Sequence, residues 1–497
     1  MGSKNKRHRT GSRVPPPSGC KPSLRLTPRE VEDLADELRT FHRFYASCFQ
    51  RREQRDWSFF YLCGQLSTLE RKTIEPMVLT LKGPNANAVR ALDQFLGAGA
   101  WDAQTVLRQH QQLVADSLGT PDGTVVVDGS GFPKQGADSA GVARQYCGAL
   151  GKIANCQEGV FVVYATPHEH TFLDCRLYLP ESWFDSNAVE RWQKCGIPED
   201  LAFYTEPELA LQMLQGLVQR QCVPFRWVTC DEHFGQNPAF MDGVSALGKW
   251  YLAEVPADTR VWQRTPRVEP PGRSPRGPAR RYPRVARNAP RAREVRQIAA
   301  QLPSSAWQRY RIKEGSKGAL IADFAFLRVT TVRNVLPGPR VWLILRRSVA
   351  TTPEFKFYLS NAPLHVSDPE LVRQCGMRWP IETTLEEGKG EIGMDHYETR
   401  SWRGWYHQMT QSFMAHLFLM RVRVAFKKNF GAHNGPSPDA DRGGAPRQSR
   451  GFCNRVGLRR ILSKAQLCSV LFASKAETAK YKPKQFTFVI AQSLQVI

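Results

Sequence analysis

Two aspartates stand where apolar segments of the chain give way to polar residues. Asp128 follows Thr124–Val127 and precedes a Gly-Ser-Gly turn, and Asp231 closes the apolar segment that begins with Phe225–Thr229. In α/β sheets, residues just past the carboxyl end of a strand lie in the ligand crevice. Two carboxylates there can bind a hard divalent cation such as Mg²⁺ through oxygen ligands. Each aspartate taken alone is better explained as the cap of a helix or turn.

A third candidate carboxylate lies in the segment RWPIETTLEEGKGEIG, which begins at Arg378. Helical spacing places Arg378, Glu382 and Lys389 along one face. A carboxylate between two cations suits a metal-bound phosphodiester, whose backbone the cations would grip, although a solvated helix of ion pairs gives the same pattern. Glu386 and Glu387 are rivals for the third ligand. Glu382 ranks first because only it fits the spacing to both cations.

The elements that must position these acids are predicted from periodicity. A capping box at Thr27 opens an all-helical region that extends to residue 118. Five short apolar strands and a helix over Glu206–Gln219 then indicate a mixed α/β layer fold. The predicted strands are Thr124–Val127, Val160–Tyr164, Cys175–Leu179, Phe225–Thr229 and Trp250–Val255.

The second half of the chain alternates between strand and helix patterns. Three segments alternate like strands of an antiparallel sheet, and two long helices are predicted after them. The strands are Ala319–Val332, Arg340–Ser348 and Glu354–Ser360, and the helices cover about Asp368 to Gly393 and 402–427.

Residues 256–296 carry twelve arginines with many prolines and almost no acid. That composition excludes a folded core, so the segment is either a solvated linker or an extended strap along DNA. Charge density favours the strap, with four close arginines as its expected phosphate contacts. These are Arg280, Arg281, Arg284 and Arg287.

Composition limits the class of protein. The 497 residues are 41% hydrophobic and 23% charged, as in ordinary globular proteins, and Lys+Arg 69 against Asp+Glu 46 leaves a net charge of +23. Such a surplus indicates an acidic partner, most simply nucleic acid. No apolar run reaches the roughly 20 residues of a membrane span, and the first residues lack the apolar region of a secretory signal. Twelve thinly spread cysteines indicate reduced thiols in a cytoplasm.

Several blocks of the sequence resemble the DDE-superfamily transposases of bacterial insertion sequences. DGSGFPKQGADSAGVARQYCGALGKIANCQEGVFVVYA is similar to that family's first-Asp block and CDEHFG to its second. RWPIETTLEEGKGEIGMDHYETRSWRGWYHQMT resembles the third block, with the Arg-x3-Glu-x6-Lys signature at Arg378, Glu382 and Lys389. FLGAGAWDAQTVL and RLYLPESW also resemble the family. The likeness covers roughly residues 30–425.

The resemblance implies an RNase H-like catalytic core in which Asp128, Asp231 and Glu382 form the metal-binding triad. Two Mg²⁺ ions, for which Mn²⁺ can substitute, would be its cofactors. The expected activity is cut-and-paste transposition, in which cleavage frees a 3′-OH that attacks target DNA. The expected partners are double-stranded DNA, as transposon ends and as target, and a second copy of the chain in the synaptic complex. A cytoplasmic, nucleoid-associated bacterial protein follows, with no membrane and no nucleotide cofactor.

The same likeness divides the chain into six parts. A helical domain that recognises DNA ends precedes a core split by a β-rich insertion, and a basic tail lies at either end. The bounds are 1–23 (disordered basic tail), 24–118 (helical DNA-binding domain), 119–257 (first part of the core), 258–366 (Arg-rich segment and β-rich insertion), 367–429 (closing helices) and 430–497 (linker and basic tail).

The sequence departs from the family at one position and offers weaker signals elsewhere. Cys375 stands where the fuller signature has a tyrosine, which puts any contact of that tyrosine with a hairpin end in doubt. Lys134 and Trp402 are further candidates for DNA contact, the latter by stacking on an unpaired base, although aromatics at helical spacing are more often core. His168 and His170 could bind a metal, but a strand-end loop also holds solvated histidines.

Two other functions remain open on the sequence alone. The first is a transposase-derived regulator that binds DNA without cutting it, against which the intact triad argues. The second is a stand-alone nuclease without strand transfer. Binding alone, cleavage alone, or cleavage with insertion would distinguish the three.

Overall fold

The computed structural model describes residues 28–272, 280–315 and 318–431. Five helices precede the first strand. The later ones begin at polar caps, since the Asn85 side chain accepts the Ala88 N–H and the Asp102 carboxylate accepts those of Gln104 and Thr105. The helices are α1 (Pro28–Arg43), α2 (Arg52–Gln65), α3 (Ile74–Lys82), α4 (Ala86–Gly97) and α5 (Ala103–Leu118). The expected tails at 1–23 and, but for its first two residues, 430–497 lie outside the described residues.

The middle of the chain supplies six strands and four helices in mixed order. In chain order they are β1 (Thr124–Pro133), β2 (Ala143–Cys147), β3 (Lys152–Ala165), β4 (His170–Tyr178), α6 (Val189–Cys195), α7 (Glu206–Arg220), β5 (Trp227–Cys230), α8 (Glu232–Gly235), α9 (Pro238–Ala246) and β6 (Trp250–Val255). The apolar centre of β1, Val125–Val127, is fully buried because the sheet is covered on both faces.

The remaining elements are eight strands and four helices. They are β7 (Arg260–Trp262), β8 (Val268–Glu269), β9 (Arg284–Val285), β10 (Arg293–Glu294), α10 (Val295–Ala300), β11 (Gln308–Gly315), β12 (Gly318–Arg333), β13 (Leu336–Ser348), β14 (Phe355–Ser360), α11 (Asp368–Gly376), α12 (Trp379–Gly390) and α13 (Trp402–Gly431). No helix in the described part of the chain has both the length and the apolarity that a membrane crossing needs.

Twelve strands form one mixed sheet in the order β10-β7-β12-β13-β14-β6-β5-β1-β3-β2, with β11 beside β12 and β4 beside β3. β1, β5 and β6 run parallel to one another, and the other pairs are antiparallel. The antiparallel pairing of β6 with β14 joins the strands of the insertion to the strands that carry the aspartates. The mixed α/β fold class is therefore confirmed.

The helices α1, α2, α4 and α5 pack against α13, and all five N-terminal helices share a hydrophobic core with the sheet. The rings of Phe41 and Phe418 lie 5.5 Å apart, and Trp101 stacks on His407 at 3.6 Å. Buried amides and hydroxyls add to the contact, with the Gln65 amide donating to Ser412 Oγ at 2.8 Å. The first and last described helices thus form one packed layer.

The prediction that the first strand ends at Asp128 is wrong. β1 continues to Pro133, and Asp128 pairs with Phe161 within the ladder. Glycines after Asp128 indicate a turn in the sequence, but β3 is long enough to pair with every residue from 124 to 133. Asp128 therefore lies within a strand, where its side chain has less freedom than in a turn.

The single long helix expected over Asp368–Gly393 is two helices, α11 and α12, with a break at Met377 and Arg378. Pro380 explains the break, because it has no N–H to donate to the Gly376 carbonyl and its ring would clash there. The break places Arg378 at the first position before α12 rather than inside a continuous helix.

The exclusion of the arginine-rich segment from folded structure is also wrong in part. Val261 and Trp262 are buried in β7, which pairs with β10 and β12, and Val295 is buried where α10 begins. Arg280 Nη1 and Arg284 Nε lie 2.6 and 3.0 Å from the same oxygen of Glu269. Residues 273–279 lie outside the described residues.

Candidate metal and DNA site

Asp128 and Asp231 are neighbours across the parallel pair of β1 and β5. Val127 and Cys230 are partners in the register, and each aspartate follows its own member of that pair. Asp231 caps α8, accepting the N–H groups of His233 at 3.1 Å and Phe234 at 3.3 Å. Asp231 therefore caps a helix, which is one of the two roles that the sequence analysis considered for it. Its carboxylate nevertheless lies beside Asp128.

The proximity of the two acids is reflected in the pKa of Asp128. Burial, followed by the negative charge of Asp231, raises this pKa to about 7, although Arg378 and the Gly129 N–H oppose the shift. A carboxyl with so high a pKa holds its negative charge at a cost near neutral pH. A cation bound between the two aspartates would remove that cost.

Arg378 links the third acid to the first. Its Nη1 lies 3.6 Å from Asp128 Oδ2, and its Nη2 donates to Glu382 Oε1 one turn further along α12. Only 18% of the Asp128 side chain, 21% of that of Arg378 and 30% of that of Glu382 are exposed. The three sequence-predicted acids thus converge on one half-buried place, with a guanidinium between two of them.

Glu254, which the sequence analysis did not single out, also binds this guanidinium. Its Oε2 lies 3.3 Å from Arg378 Nε, and its Oε1 lies 2.6 Å from Lys356 Nζ. The side chain is 7% exposed on β6, beside the strand that ends at Asp231. A signal was present in the sequence, because a lone acid interrupts the otherwise apolar strand WYLAEV.

Two further acids that the sequence analysis did not single out, Glu158 and Glu206, lie beside Gly129. A Cβ at that glycine would be 3.1 Å from Glu158 Oε1 and 3.3 Å from Glu206 Oε2, so both carboxylates face the same point of β1. Burial and the charges of Glu206 and Asp128 raise the pKa of Glu158 to about 8, against the opposing charge of Lys389. The cluster of acidic side chains near Asp128 therefore extends beyond the predicted triad.

The two rivals of Glu382 point elsewhere. Glu387 accepts from His416 Nε2 at 3.0 Å and from Arg423 Nη2 at 2.9 Å, while Glu386 is exposed. The ligand atoms of His170, Glu387 and His416 lie within 4.8 Å of one another, so this group has the donors of a metal site. Arg423 already neutralises its carboxylate, however, and hydrogen bonds satisfy both nitrogens of His416.

The two candidate lysines are held by backbone carbonyls. Lys389 Nζ donates to Gly131 O at 2.8 Å above the Phe132 ring, and Lys134 Nζ donates to Tyr397 O at 3.0 Å above that tyrosine's own ring. Both keep a positive charge next to the strand that carries Asp128. The hydrogen bond that each lysine donates also stabilises the fold.

Trp402 packs against Tyr406, with ring centroids 5.0 Å apart. Both rings line a cavity of about 470 Å³, which Trp101, Tyr204 and Arg176 also line. Among the arginines expected to bind DNA, Arg281 and Arg287 are exposed, whereas Arg280 and Arg284 are paired with Glu269 as described above. His168 is exposed, as a loop histidine is.

Comparison with known proteins identifies a family of endonucleases. The sequence model of the family described as "DDE superfamily endonuclease" matches residues 44–319, more than half of the chain. A protein of Microchaete diplosiphon named "Probable transposase for insertion sequence element IS701" is 23% identical over 375 residues, which are 75% of this chain and 84% of that protein.

A solved structure, that of the NurA nuclease from Sulfolobus solfataricus, aligns with 67% of this chain and 94% of its own at 10% identity. Its TM-score of 0.24 is below the range of shared folds. The family match and the transposase relative establish the class of protein instead. The chain belongs to the DDE superfamily of endonucleases and, within it, to the transposases of insertion sequences.

Proposed function

We propose that the protein binds the ends of an insertion sequence, cleaves the DNA with a divalent metal held by Asp128, Asp231 and Glu382, and joins the freed 3′-OH to target DNA. The observation that carries the proposal is the bridge from Asp128 through Arg378 to Glu382, beside Asp231. It unites acids that are far apart in the sequence. A protein that only binds DNA has no need of three acids among cations.

The strand order supports an RNase H-like core. Three antiparallel strands, β1, β3 and β4, are followed by the helices α6 and α7 and by β5 and β6, which lie parallel to β1 on its other side. The acids lie on the central strand, at the end of its parallel neighbour and on a helix that packs against β1 and β3. The insertion adds its strands to the edge beside β6, where they leave this arrangement unchanged.

The residues present fit a divalent cation such as Mg²⁺ or Mn²⁺. All three donors are carboxylates, the oxygen ligands that these hard ions take. The raised pKa of Asp128 shows that its negative charge lacks full compensation. Such ions, when bound, activate water and stabilise the leaving oxygen at phosphorus.

The chain's own side chains would position the DNA around these acids. Arg378 faces the carboxylates with a planar guanidinium, which suits a phosphate as well as a carboxylate. Lys389 adds positive charge above Gly131, three residues along the strand from Asp128. Because the displacement at phosphorus needs mainly positioning and charge neutralisation, these cations would hold the scissile phosphate toward the acids.

The remaining parts of the proposal concern DNA ends and partners. We assign recognition of the ends to the helices before residue 118, whose packing against α13 connects them to α12 and the site. Two ends must be held together, so a homodimer on DNA, associated with the bacterial nucleoid, completes the proposal. The net charge of +23 agrees with DNA as the partner.

Cleavage and binding measured on the same DNA test this function. Asp128→Asn, Asp231→Asn and Glu382→Gln should each abolish Mg²⁺-dependent cleavage of a supercoiled plasmid that carries the flanking repeats of the gene, and leave plasmid binding nearly intact. Mn²⁺ should replace Mg²⁺, and Ca²⁺ should support binding without cleavage. Insertion of the cut ends into a second plasmid would distinguish transposition from a nuclease alone.

Glu386→Gln is the matched control, since Glu386 is exposed on the same helix as Glu382. It should cut as the wild type does. Normal cleavage by Glu382→Gln with loss in Glu386→Gln would refute the assignment of the third acid. A wild-type protein that binds DNA and does not cut it in any divalent metal would indicate a regulator.

A further inference from the structure

β2 and the start of β3 form a β-hairpin beyond the point where the pairing of β1 with β3 stops. The pairing of β1 with β3 stops at Cys156, whereas β2 pairs with β3 from Cys156 to Lys152. One 3₁₀ turn, Gly148–Leu150, closes the hairpin. The four residues of β3 before Cys156 therefore pair with β2 and not with β1, and the closing turn of this two-stranded ribbon lies against β1.

The hairpin exposes large apolar side chains. Tyr146 is 65% exposed and lies directly across the ribbon from Ile153, which is 61% exposed, and Leu150 at the turn is 46% exposed. Opposite residues of an antiparallel pair share a face, so Tyr146 and Ile153 form one apolar surface. A stable fold gains nothing from three such residues in water, and a cluster of them marks a binding surface.

The hairpin is fixed both near its base, at Asn155, and beside its closing turn, at Cys147. The Asn155 side chain donates to the carbonyls of Lys134 at 2.9 Å and Gly136 at 2.8 Å, and Cys147 is buried against Gly131. The same Gly131 carbonyl accepts from Lys389, and Gly131 lies three residues from Asp128 on β1. At about 3.3 Å per residue Gly131 lies about 10 Å along β1 from Asp128, so the end of the hairpin at Cys147 lies at about that distance.

The charge around these apolar residues identifies their partner. Residues 139–157 contain Arg144 and Lys152, both exposed, and no carboxylate. Arg144 lies two residues from Tyr146, on the same face of β2. A protein interface would tolerate either sign of charge, whereas cations beside an apolar pair on a two-stranded ribbon suit a DNA groove.

We infer that this hairpin enters a groove of the DNA next to the scissile phosphate and wedges Tyr146 and Ile153 between base steps. Apolar side chains of other DNA-bending proteins act in this way, unstacking a step and kinking the duplex. The inference rests on the proposed function, since it needs DNA held at Asp128. It adds a role for residues outside the triad and its cations, which is to deform the DNA that is cut.

Binding to two DNA probes in Ca²⁺ tests the wedge without cleavage. The probes are a labelled duplex of mixed sequence and the same duplex with a central pair of mismatches, in which less stacking remains to be broken. Fluorescence anisotropy should show that the wild type binds the mismatched duplex roughly tenfold more tightly, because less unstacking is needed. Tyr146→Ala combined with Ile153→Ala should bind both probes alike, and Tyr146→Phe should keep the preference.

Two sets of control variants separate the effect of the wedge on DNA binding from the effect of positive charge and from that of exposed apolar side chains in general. Arg144→Gln with Lys152→Gln should weaken binding to both probes equally. It should also lower the slope of log affinity against log salt concentration by up to about two units. Val335→Ala and Leu364→Ala, which change side chains that are 81% and 71% exposed elsewhere, should behave as the wild type does. Circular dichroism of each variant checks that it is folded.

Three outcomes would overturn the inference. In the first, the wild type binds the mismatched and the matched duplex equally. In the second, the Tyr146→Ala, Ile153→Ala variant keeps its preference for the mismatched duplex and its oligomeric state. In the third, this variant keeps the preference and changes its oligomeric state. The last would show that the hairpin binds a second copy of the chain. Plasmid cleavage is measured separately, so loss of cleavage in the wild type refutes the proposed function, and unchanged mismatch preference in a cleaving variant refutes only the wedge.

Discussion

Glu387 Oε2 lies 3.0 Å from His416 Nε2, which makes a buried ion-pair contact between α12 and α13. Arg423 joins from the same helix α13, with Nη2 at 2.9 Å from the other oxygen of Glu387. α12 also carries Arg378 at its start and Glu382 in its first turn. This contact therefore fixes the helix that brings the third acid to the site.

Replacement of Glu387 by Gln should reduce stability in a way that depends on pH. Burial alone would raise the pKa of Glu387, but the hydrogen bond from His416 and the charges of His416 and Arg423 lower it to about 2. Because this pKa is below the unfolded value, the ionised carboxylate stabilises the fold above about pH 4.5, and the stabilisation is lost as the pH falls toward 2.

Urea unfolding should give Glu387→Gln a deficit on the order of 2 to 3 kcal/mol near neutral pH. The deficit should shrink below about pH 4.5, where the wild-type carboxylate of the unfolded chain takes up protons. Glu386→Gln, on the exposed side of the same helix, should show no deficit. A deficit of Glu387→Gln that is constant with pH would mean that packing, not charge, holds the two helices.

Asp128→Asn should stabilise the protein in the absence of divalent metal at alkaline pH. The pKa of Asp128 is raised to about 7 from 3.8, so the unfolded chain loses this proton first and wild-type stability falls as the pH rises between these values. Near pH 4 the two proteins should be alike, and near pH 8 the variant should be more stable by about 2 to 4 kcal/mol.

Thermal unfolding with and without Mg²⁺ measures both effects. Mg²⁺ should raise the Tm of the wild type and leave that of Asp128→Asn almost unchanged, because the variant lacks a charged ligand. Asp93→Asn, at an exposed position of α4, is the control for the change of charge. Equal stabilisation of wild type and Asp128→Asn by Mg²⁺ would place the metal elsewhere.

Gly235→Ala should destabilise the protein and reduce cleavage. A Cβ at Gly235 would lie 1.9 Å from the Glu254 carbonyl oxygen, and backbone of a central strand cannot move aside easily. We expect a loss of about 1 to 3 kcal/mol in thermal unfolding. Cleavage should fall as well, since α8 carries Asp231 as its cap.

Gly97→Ala is the matched control for this substitution. Gly97 ends α4, and a Cβ there would meet no atom within 4 Å. Alanine favours a helix more than glycine does, so the Tm should stay the same or rise slightly. If Gly235→Ala were as stable as Gly97→Ala, α8 would not lie in close contact with β6 at Gly235.

The arginine-rich segment should contribute unequally to DNA affinity. Arg281→Gln with Arg287→Gln should flatten the dependence of log affinity on log salt by up to about two units, since both side chains are exposed. Arg280→Gln with Arg284→Gln should change it by about one unit, because Glu269 already neutralises one of the two charges. Equal slopes for the two double variants would show that DNA displaces Glu269.

The sequence predicted the strands of the core and the convergence of the acids better than it predicted where elements end. Asp128 was placed at the end of a strand because glycines follow it, and the length of β3, which keeps that stretch paired, is a property of a distant segment. The break between α11 and α12 was missed although Pro380 indicated it. Local signals decide which elements form, and pairing with distant residues decides how far they extend.

The same limit applied to the side chains of the site. Glu382 was preferred over Glu387 on spacing alone, and the reason that Glu387 points elsewhere, its contact with His416, depends on the packing of α13. Glu254 was missed because an acid in a buried strand identifies no partner by itself. Its role depends on Arg378 and Lys356, which come from two other elements that follow it in the chain.

The order in which the ribosome synthesises the strands and helices of the site determines when the three acids can come together. Asp128 and Asp231 are synthesised well before Glu382. The helix α12 packs against β1, β3 and β4 and is joined through Glu387 to α13, which in turn packs against helices made at the start. A nascent chain that ends before α13 contains all three acids but lacks His416 and Arg423, the α13 side chains that bind Glu387 of α12. We therefore expect the three acids to reach their final arrangement only after α13, the last described helix, has folded back onto the N-terminal helices.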